Sequence, residues 1–155
     1  MLGTLAKWLR ILGYDTLFDP SLDDHHLVRL ARAEDRVLLT RDRELARRRG
    51  VRALLVVREN LDEQIRQVLL ALAALPAGSP GDDLGPVPNG SFSRCPVCNE
   101  PLRPMDPETA RAHVPAYVAQ TQRAFSSCPA CRRVYWRGSH WQRMDEHLTE
   151  LTYGG

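Results

Sequence analysis

The sequence predicts an α/β protein: a parallel sheet flanked by helices, followed by a small zinc-binding unit. Helical and strand-like apolar patterns alternate over residues 1–75, which is typical of parallel sheets with helices on both faces. Residues 76–93 contain four prolines and four glycines, so we predict a linker there. Residues 94–155 contain two C-x-x-C motifs, which predict the second unit.

The individual elements follow from apolar spacing and from start and stop signals. Leucines recur at helical spacing over residues 2–12, and Gly13 is a typical residue after a helix. The continuous apolar run in residues 36–40 predicts a strand covered on both faces. In chain order the prediction is a helix to residue 12, a strand over 16–18, a helix over 21–34, a strand over 36–40, a helix over 42–49, a strand over 52–57 and a helix over 61–75.

Length and charge exclude several classes of protein. The chain has 155 residues, enough for one ordinary domain or two small ones. The net charge of +2 does not require a polyanionic partner. No apolar run approaches the roughly 18 residues of a membrane helix, and Lys7 and Arg10 interrupt the apolar N-terminal stretch. We therefore expect a cytoplasmic protein that does not enter a membrane.

The four cysteines form two closely spaced pairs, Cys95 with Cys98 and Cys128 with Cys131. Such pairs can form disulfides, but the lack of a secretion signal favours metal binding. Two C-x-x-C turns close a tetrahedral site with Zn–S distances near ~2.3 Å. Four thiolates fill the coordination shell, so we predict a structural zinc ion that stabilises the C-terminal unit.

A stretch of aromatic and arginine residues follows the second cysteine pair. This combination suits stacking and phosphate contacts with single-stranded nucleic acid. The alternative is that the aromatic rings cover the zinc site while the arginines face solvent. The residues concerned are Arg132, Arg133, Tyr135, Trp136, Arg137, His140 and Trp141.

Acidic residues follow two of the predicted strands. Asp42 comes two residues after the strand over 36–40, and Asp19, Asp23 and Asp24 follow the strand over 16–18. The carboxyl ends of parallel strands share one sheet edge, so these acids can hold Mg²⁺ or Mn²⁺ for phosphodiester hydrolysis. Alternatively, Asp23 and Asp24 cap one helix, and Asp42 and Glu44 favour the start of the next. Asp15 precedes its strand, so we place it at the opposite edge.

Several segments in this order resemble the mutator-seven C-terminal RNase domain family. They are "MLGTLAKWLRILGYDT", "VLLTRDREL", "CPVCN" and "CPACRRVYWRGSHW", and the resemblance extends from Met1 to about residue 145. It implies a PIN-like nuclease domain joined to a C-terminal zinc ribbon. It also implies a metal-dependent ribonuclease that hydrolyses RNA phosphodiester bonds.

The resemblance assigns roles to particular residues. It implies catalytic acids at Asp23 or Asp24 and at Asp42, with Glu44 a further member, and it makes Asp24 and Asp42 the ligands of Mg²⁺ or Mn²⁺. It implies zinc at the four cysteines. It also favours RNA contact by Arg41 and by the aromatic and arginine stretch.

One departure from the family pattern leads to a further expectation. Family members begin with a strand that ends in an aspartate, whereas this sequence begins at the methionine after that point. We therefore expect the first strand of the sheet and its acid to be missing, and residues 1–155 alone to be weakly active or inactive. Two other functions stay open: a non-catalytic zinc ribbon that binds RNA or the ribosome, and a zinc-stabilised adaptor between proteins.

Overall fold

The computed structural model describes residues 2–74 and 93–136, together with Glu146 and Glu150. Within these residues, no helix is both long and apolar enough to cross a membrane. The first part contains four helices and two strands, in an alternating α/β order. They are α1 (Leu2–Ile11), α2 (Asp24–Ala33), β1 (Val37–Thr40), α3 (Arg43–Ala46), β2 (Arg52–Leu55) and α4 (Leu61–Ala73).

The two strands form a parallel pair covered by helices. Val37 is paired with Arg52 and Thr40 with Leu55 at the two ends of the ladder. Helix α1 packs against α4, and the helices bury Leu5 and Leu9 of α1 and Ile65, Val68 and Leu69 of α4. Burial of each such side chain contributes about 1.5–3 kcal/mol. The main core consists of Leu5, Leu9, Leu12, Tyr14, Val56, Ile65, Val68 and Leu69.

The predicted strand over residues 16–18 is wrong. These residues have no strand partner in the described part of the chain. The physical reason is that the backbone groups of Thr16 form hydrogen bonds with side chains instead of with a strand. Its N–H donates to Asn99 Oδ1 at 2.9 Å, and its carbonyl accepts from Arg10 Nε at 2.9 Å. The parallel sheet therefore has two strands among the described residues, and a PIN-like sheet is not confirmed.

Aspartate side-chain caps set where two of the helices begin. Asp23 accepts the His26 N–H, so α2 starts at Asp24, three residues after the predicted start. Asp42 accepts the N–H groups of Glu44 and Leu45 and caps α3 in the same way. These carboxylates satisfy backbone donors that a helix N terminus leaves without partners.

A groove runs along the outer edge of β1, and we call it the β1 groove. Within residues 2–74 and 93–136, β1 pairs with β2 alone, so its other edge has no strand beside it. The groove has a volume of about 530 Å³ and mainly apolar walls. Its walls are contributed by α1, residues 14–22, α2, β1 and α4, with Leu9, Phe18, Leu27, Leu38 and Val68 as examples.

The second part is built around a three-stranded antiparallel sheet. It contains β3 (Arg103–Met105), β4 (Phe125–Ser127) and β5 (Val134–Trp136), in the order β3-β4-β5. Two short helices, α5 (Pro107–Ala110) and α6 (Ala116–Thr121), lie between β3 and β4, with a 3₁₀ turn over Arg111–His113 between them. Its core contains three buried residues, Ala110, Val118 and Phe125.

Candidate functional site

The four cysteines form a compact cluster with the chemistry of a zinc site. Their sulfur atoms all lie within 4.8 Å of one another, and all four thiols are free. The Sγ atoms of Cys95 and Cys131 are 3.8 Å apart. A tetrahedral ion with Zn–S distances of ~2.3 Å requires sulfur–sulfur distances of about 3.8 Å, so the cluster fits such an ion. The predicted four-cysteine metal site is therefore supported.

The two cysteine turns have the same backbone construction. Four residues after the first cysteine of each turn, Asn99 and Arg132 adopt φ angles of 66° and 62°. The N–H of each donates to the carbonyl of that first cysteine, Cys95 or Cys128, at 2.8 Å. Asparagine tolerates this left-handed conformation better than most residues. These tight turns aim both cysteine side chains of a pair at the same point.

Tyr135 of β5 is part of the metal site. Its hydroxyl lies 3.1 Å from the Sγ atom of Cys95, which is fully buried. Burial raises the pKa of the Cys95 thiol. Hydrogen bonds from Tyr135 and from the backbone N–H groups of Cys98 and Val97 outweigh that effect and lower the pKa to about 7. This environment favours the thiolate form of Cys95, whereas the hydrogen bond with Cys131 raises the pKa of Cys98.

The aromatic and arginine stretch is divided between packing and solvent. Tyr135 faces Cys95, and Trp136 packs against the core of the second part, so these two rings cover the interior, as in the alternative interpretation. Arg132 and Arg133 are exposed. Arg41 lies directly after β1, far in sequence from this stretch, and donates to the Arg58 carbonyl at 2.8 Å. The remaining predicted RNA contacts, Arg137, His140 and Trp141, lie outside the described residues.

The predicted catalytic acids lie at two helix N termini and are exposed. Asp23 and Asp42 are N-caps, as the structural alternative anticipated. The hydrogen bond from the His26 N–H, together with its ring, lowers the pKa of Asp23. Glu44 lies in the first turn of α3. Among the described residues the four cysteines are the only group of three or more metal-binding side chains that come together, and these acids do not form such a group.

Several acids line the β1 groove. Asp19 and Asp24 are among them, and Thr40, the last residue of β1, also lines the groove. Thr40 Oγ1 accepts the Asp42 N–H at 3.0 Å, which links Asp42 to the same strand end. Asp15 also lines the groove and contacts Arg36, which precedes β1. The position of Asp15 was predicted from a strand over 16–18 that is absent, so that prediction loses its basis.

A polar interface that the sequence analysis missed joins the first cysteine turn to the end of α1. Arg10 donates from Nη1 to the carbonyls of Pro96 and Val97 at 2.9 and 3.3 Å. Asn99 Nδ2 donates to Asp15 Oδ1 at 2.6 Å. One signal was present in the sequence: Arg10 interrupts the apolar part of α1, where Leu5 and Leu9 are buried.

Asp15 should make the stability of this interface depend on pH. Burial raises the pKa of Asp15, but hydrogen bonds from Arg36 and Asn99 outweigh burial and lower it below the ordinary value of 3.8. A carboxylate with a lowered folded-state pKa stabilises the protein above that ordinary value, and the stabilisation is lost as the pH falls through the lowered pKa. We expect Asp15→Asn to be less stable than wild type near neutral pH, with a difference that shrinks in acid. Urea unfolding from about pH 7 to about pH 3 measures this; a difference that stays constant over this range would contradict it.

Comparison with known proteins gives one finding. A family model described as Mut7-C RNAse domain matches residues 1–148. Neither a curated protein nor a solved structure matches the chain. The matched range includes both parts of the structure, the acids at the carboxyl end of β1 and the four cysteines.

Proposed function

The chain belongs to the Mut7-C RNAse domain family, and we propose from this premise that it is a metal-dependent ribonuclease that hydrolyses RNA phosphodiester bonds. Membership of the family indicates a nuclease-like function with RNA as the substrate class. The observation that carries the proposal is the match over residues 1–148, which leaves only seven of the 155 residues outside it.

Asp24 and Asp42 are the ligands we propose for Mg²⁺ or Mn²⁺. Both are exposed, and Asp24 lines the β1 groove beside the strand end that contacts Asp42. Asp42 uses Oδ1 for the helix cap, and within the described residues no hydrogen bond reaches its Oδ2 atom. Carboxylate oxygens are the donors that these hard cations prefer. When bound, the ion would supply Lewis acidity and lower the pKa of a bound water. Glu44 and Asp23 would act as neighbouring negative charges.

We propose that the parallel sheet is PIN-like and that the free edge of β1 can accept one more parallel strand. The free edge of β1 exposes backbone N–H and C=O groups next to an apolar groove, which suits one more extended strand. A strand that ran parallel to β1 would end next to Asp24 and Thr40. An acid at that end would add a third carboxylate to the two we propose.

The organisation into units is part of the same proposal. Residues 1–75 would form the nuclease domain, residues 76–93 a linker and residues 94–155 a zinc ribbon that holds RNA. Of the RNA contacts predicted in this unit, Arg132 and Arg133 are described and exposed, as a phosphate contact requires.

The experiment compares the chain of residues 1–155 with two extended versions. In one version, the strand-extended chain, a flexible linker joins the N terminus to an added apolar strand of about five residues that ends in Asp; the matched control ends in Asn. We expect Mn²⁺-dependent cleavage of labelled single-stranded RNA by the Asp version, abolished by EDTA, and little cleavage by the other two. Both extended chains should be more stable than residues 1–155 alone because both fill the groove. Strong cleavage by residues 1–155 alone would disprove the need for another acid, and no cleavage by any of the three chains would contradict the proposed function.

A second candidate is RNA binding without cleavage, and the exposed Arg132 and Arg133 favour it. It predicts that affinity for RNA falls steeply as salt increases, because each neutralised phosphate releases counterions. Replacement of both arginines by glutamine should then flatten the salt dependence. If that binding is observed and no divalent metal supports cleavage, this second function replaces the first.

A further inference from the structure

The four-cysteine site and the wall of the β1 groove are joined by the polar interface at the end of α1. The carbonyls of Pro96 and Val97, which lie between two metal-binding thiols, accept hydrogen bonds from Arg10. The Thr16 N–H donates to Asn99 Oδ1 at 2.9 Å, across 83 positions of sequence. Directly after Thr16, Leu17 and Phe18 line the groove.

The interface is buried, so its hydrogen bonds have large consequences. Arg10 and Asn99 are each only 9% exposed to solvent. No buried side-chain nitrogen or oxygen atom of the described residues lacks a hydrogen-bond partner. Buried polar groups that lose their partners are strongly destabilising. Displacement of the first cysteine turn would remove the acceptors of Arg10 at Pro96 and Val97, and would leave the Thr16 amide without Asn99.

The shape of the first cysteine turn depends on the metal site. The Asn99 N–H closes the turn by donating to the Cys95 carbonyl, and the Cys95 thiol lies in the cysteine cluster. A bound ion cross-links this turn to the second one, at Cys128 and Cys131, whereas free thiols impose no such constraint. The guanidinium of Arg10 also suits the net negative charge of a divalent ion held by four thiolates.

We infer that a metal ion at the four cysteines holds the groove wall at residues 15–18 in place, with Arg10 and Asn99 as the positioning residues between the two. Metal binding fixes the Cys95–Asn99 turn, and the turn holds Thr16. The coupling is reciprocal, so an intact interface must also strengthen metal binding. This inference goes beyond the proposed nuclease, because it requires no catalytic role for any residue.

Two backbone amides report directly on this coupling. The Thr16 N–H bonds to Asn99 across the interface, whereas the Val56 N–H bonds to the Thr40 carbonyl at 2.7 Å within the main core. NMR measures amide hydrogen exchange of the full chain, first with Zn²⁺ bound and then after the ion is removed by a chelator. We expect the Thr16 amide to exchange about tenfold faster or more without metal, a change equivalent to the loss of one hydrogen bond, while the Val56 amide stays protected. Equal exchange of Thr16 in both states would overturn the inference.

A second test uses variants of the metal-loaded chain, so it still applies if chelation unfolds the whole protein. Asn99→Gly removes both side-chain bonds and tolerates the φ angle of 66°. Asn60→Gly is the matched control, because Asn60 caps α4 and such a replacement costs only a few tenths of a kcal/mol. We expect Asn99→Gly to accelerate both Thr16 exchange and zinc release to a colorimetric chelator by about tenfold, and Asn60→Gly to change neither. Wild-type rates of zinc release and Thr16 exchange in Asn99→Gly would refute the coupling.

Discussion

Replacement of Asp42 by Asn is expected to reduce Mn²⁺-dependent RNA cleavage by the strand-extended chain about 100-fold or more. A metal ion supplies several kcal/mol of transition-state stabilisation, and loss of a charged ligand removes much of it. Asp42 also caps α3 through Glu44 N–H and Leu45 N–H. Asn is as good an N-cap as Asp, so the stability of Asp42→Asn should match that of wild type. Initial rates on labelled RNA and urea unfolding measure the two effects.

Asp42→Ala separates the two roles of this side chain. It removes the cap as well as the charge, so it should lose about 1 kcal/mol of stability in addition to activity. Full activity in Asp42→Asn would show that Asp42 is a helix cap alone. Loss of activity in the alanine variant with full activity in the asparagine variant would support the same conclusion.

Replacement of Cys128 by Ser is expected to abolish stoichiometric zinc binding and unfold the second part of the structure. Cys128 is 1% exposed and sits inside the cysteine cluster. Structural zinc contributes roughly 10–16 kcal/mol of apparent binding energy in small modules. Among the described residues of the second part, three core residues are buried besides the thiols, and a core of that size cannot supply comparable stability.

Zinc content by atomic absorption and the NMR signals of β3, β4 and β5 test this expectation. Cys98→His is the matched control, because three cysteines and one histidine also form a tetrahedral zinc site and Cys98 is only half-buried. It should retain zinc and the folded sheet. A Cys128→Ser variant that keeps one zinc ion and its NMR spectrum would show that the fourth thiolate is dispensable.

Local sequence pattern was a good guide where one element buries an apolar face against its neighbours. The two strands and the long helices were predicted within a few residues, because apolar spacing and stop signals decide them. The predicted start of α2 was three residues too early, because Asp23 caps the helix instead of lying inside it. The cysteine spacing likewise predicted the cluster, because a C-x-x-C turn is a local structure.

The predicted strand over residues 16–18 failed because a residue far along the chain decided the outcome. Thr16 has a β-branched side chain and apolar neighbours, yet Asn99 and Arg10 take its backbone hydrogen bonds. No local pattern contains this information. The roles of Asp42 and Asp23 could not be predicted from sequence either. A helix cap and a metal ligand require the same residue type at the same position, so the sequence does not distinguish them.

The sequence by itself determined the alternation of helices and strands, the four cysteines that could hold a metal ion, and membership of a nuclease family. Each depends on spacing along a short stretch or on an ordered set of motifs. Only the tertiary structure decided that Arg10 and Asn99 join the cysteine turn to Thr16, and that β1 has a free edge beside a groove among the described residues. The reason is physical: buried polar groups must find partners wherever the folded chain brings them, and those partners lie more than 80 residues apart.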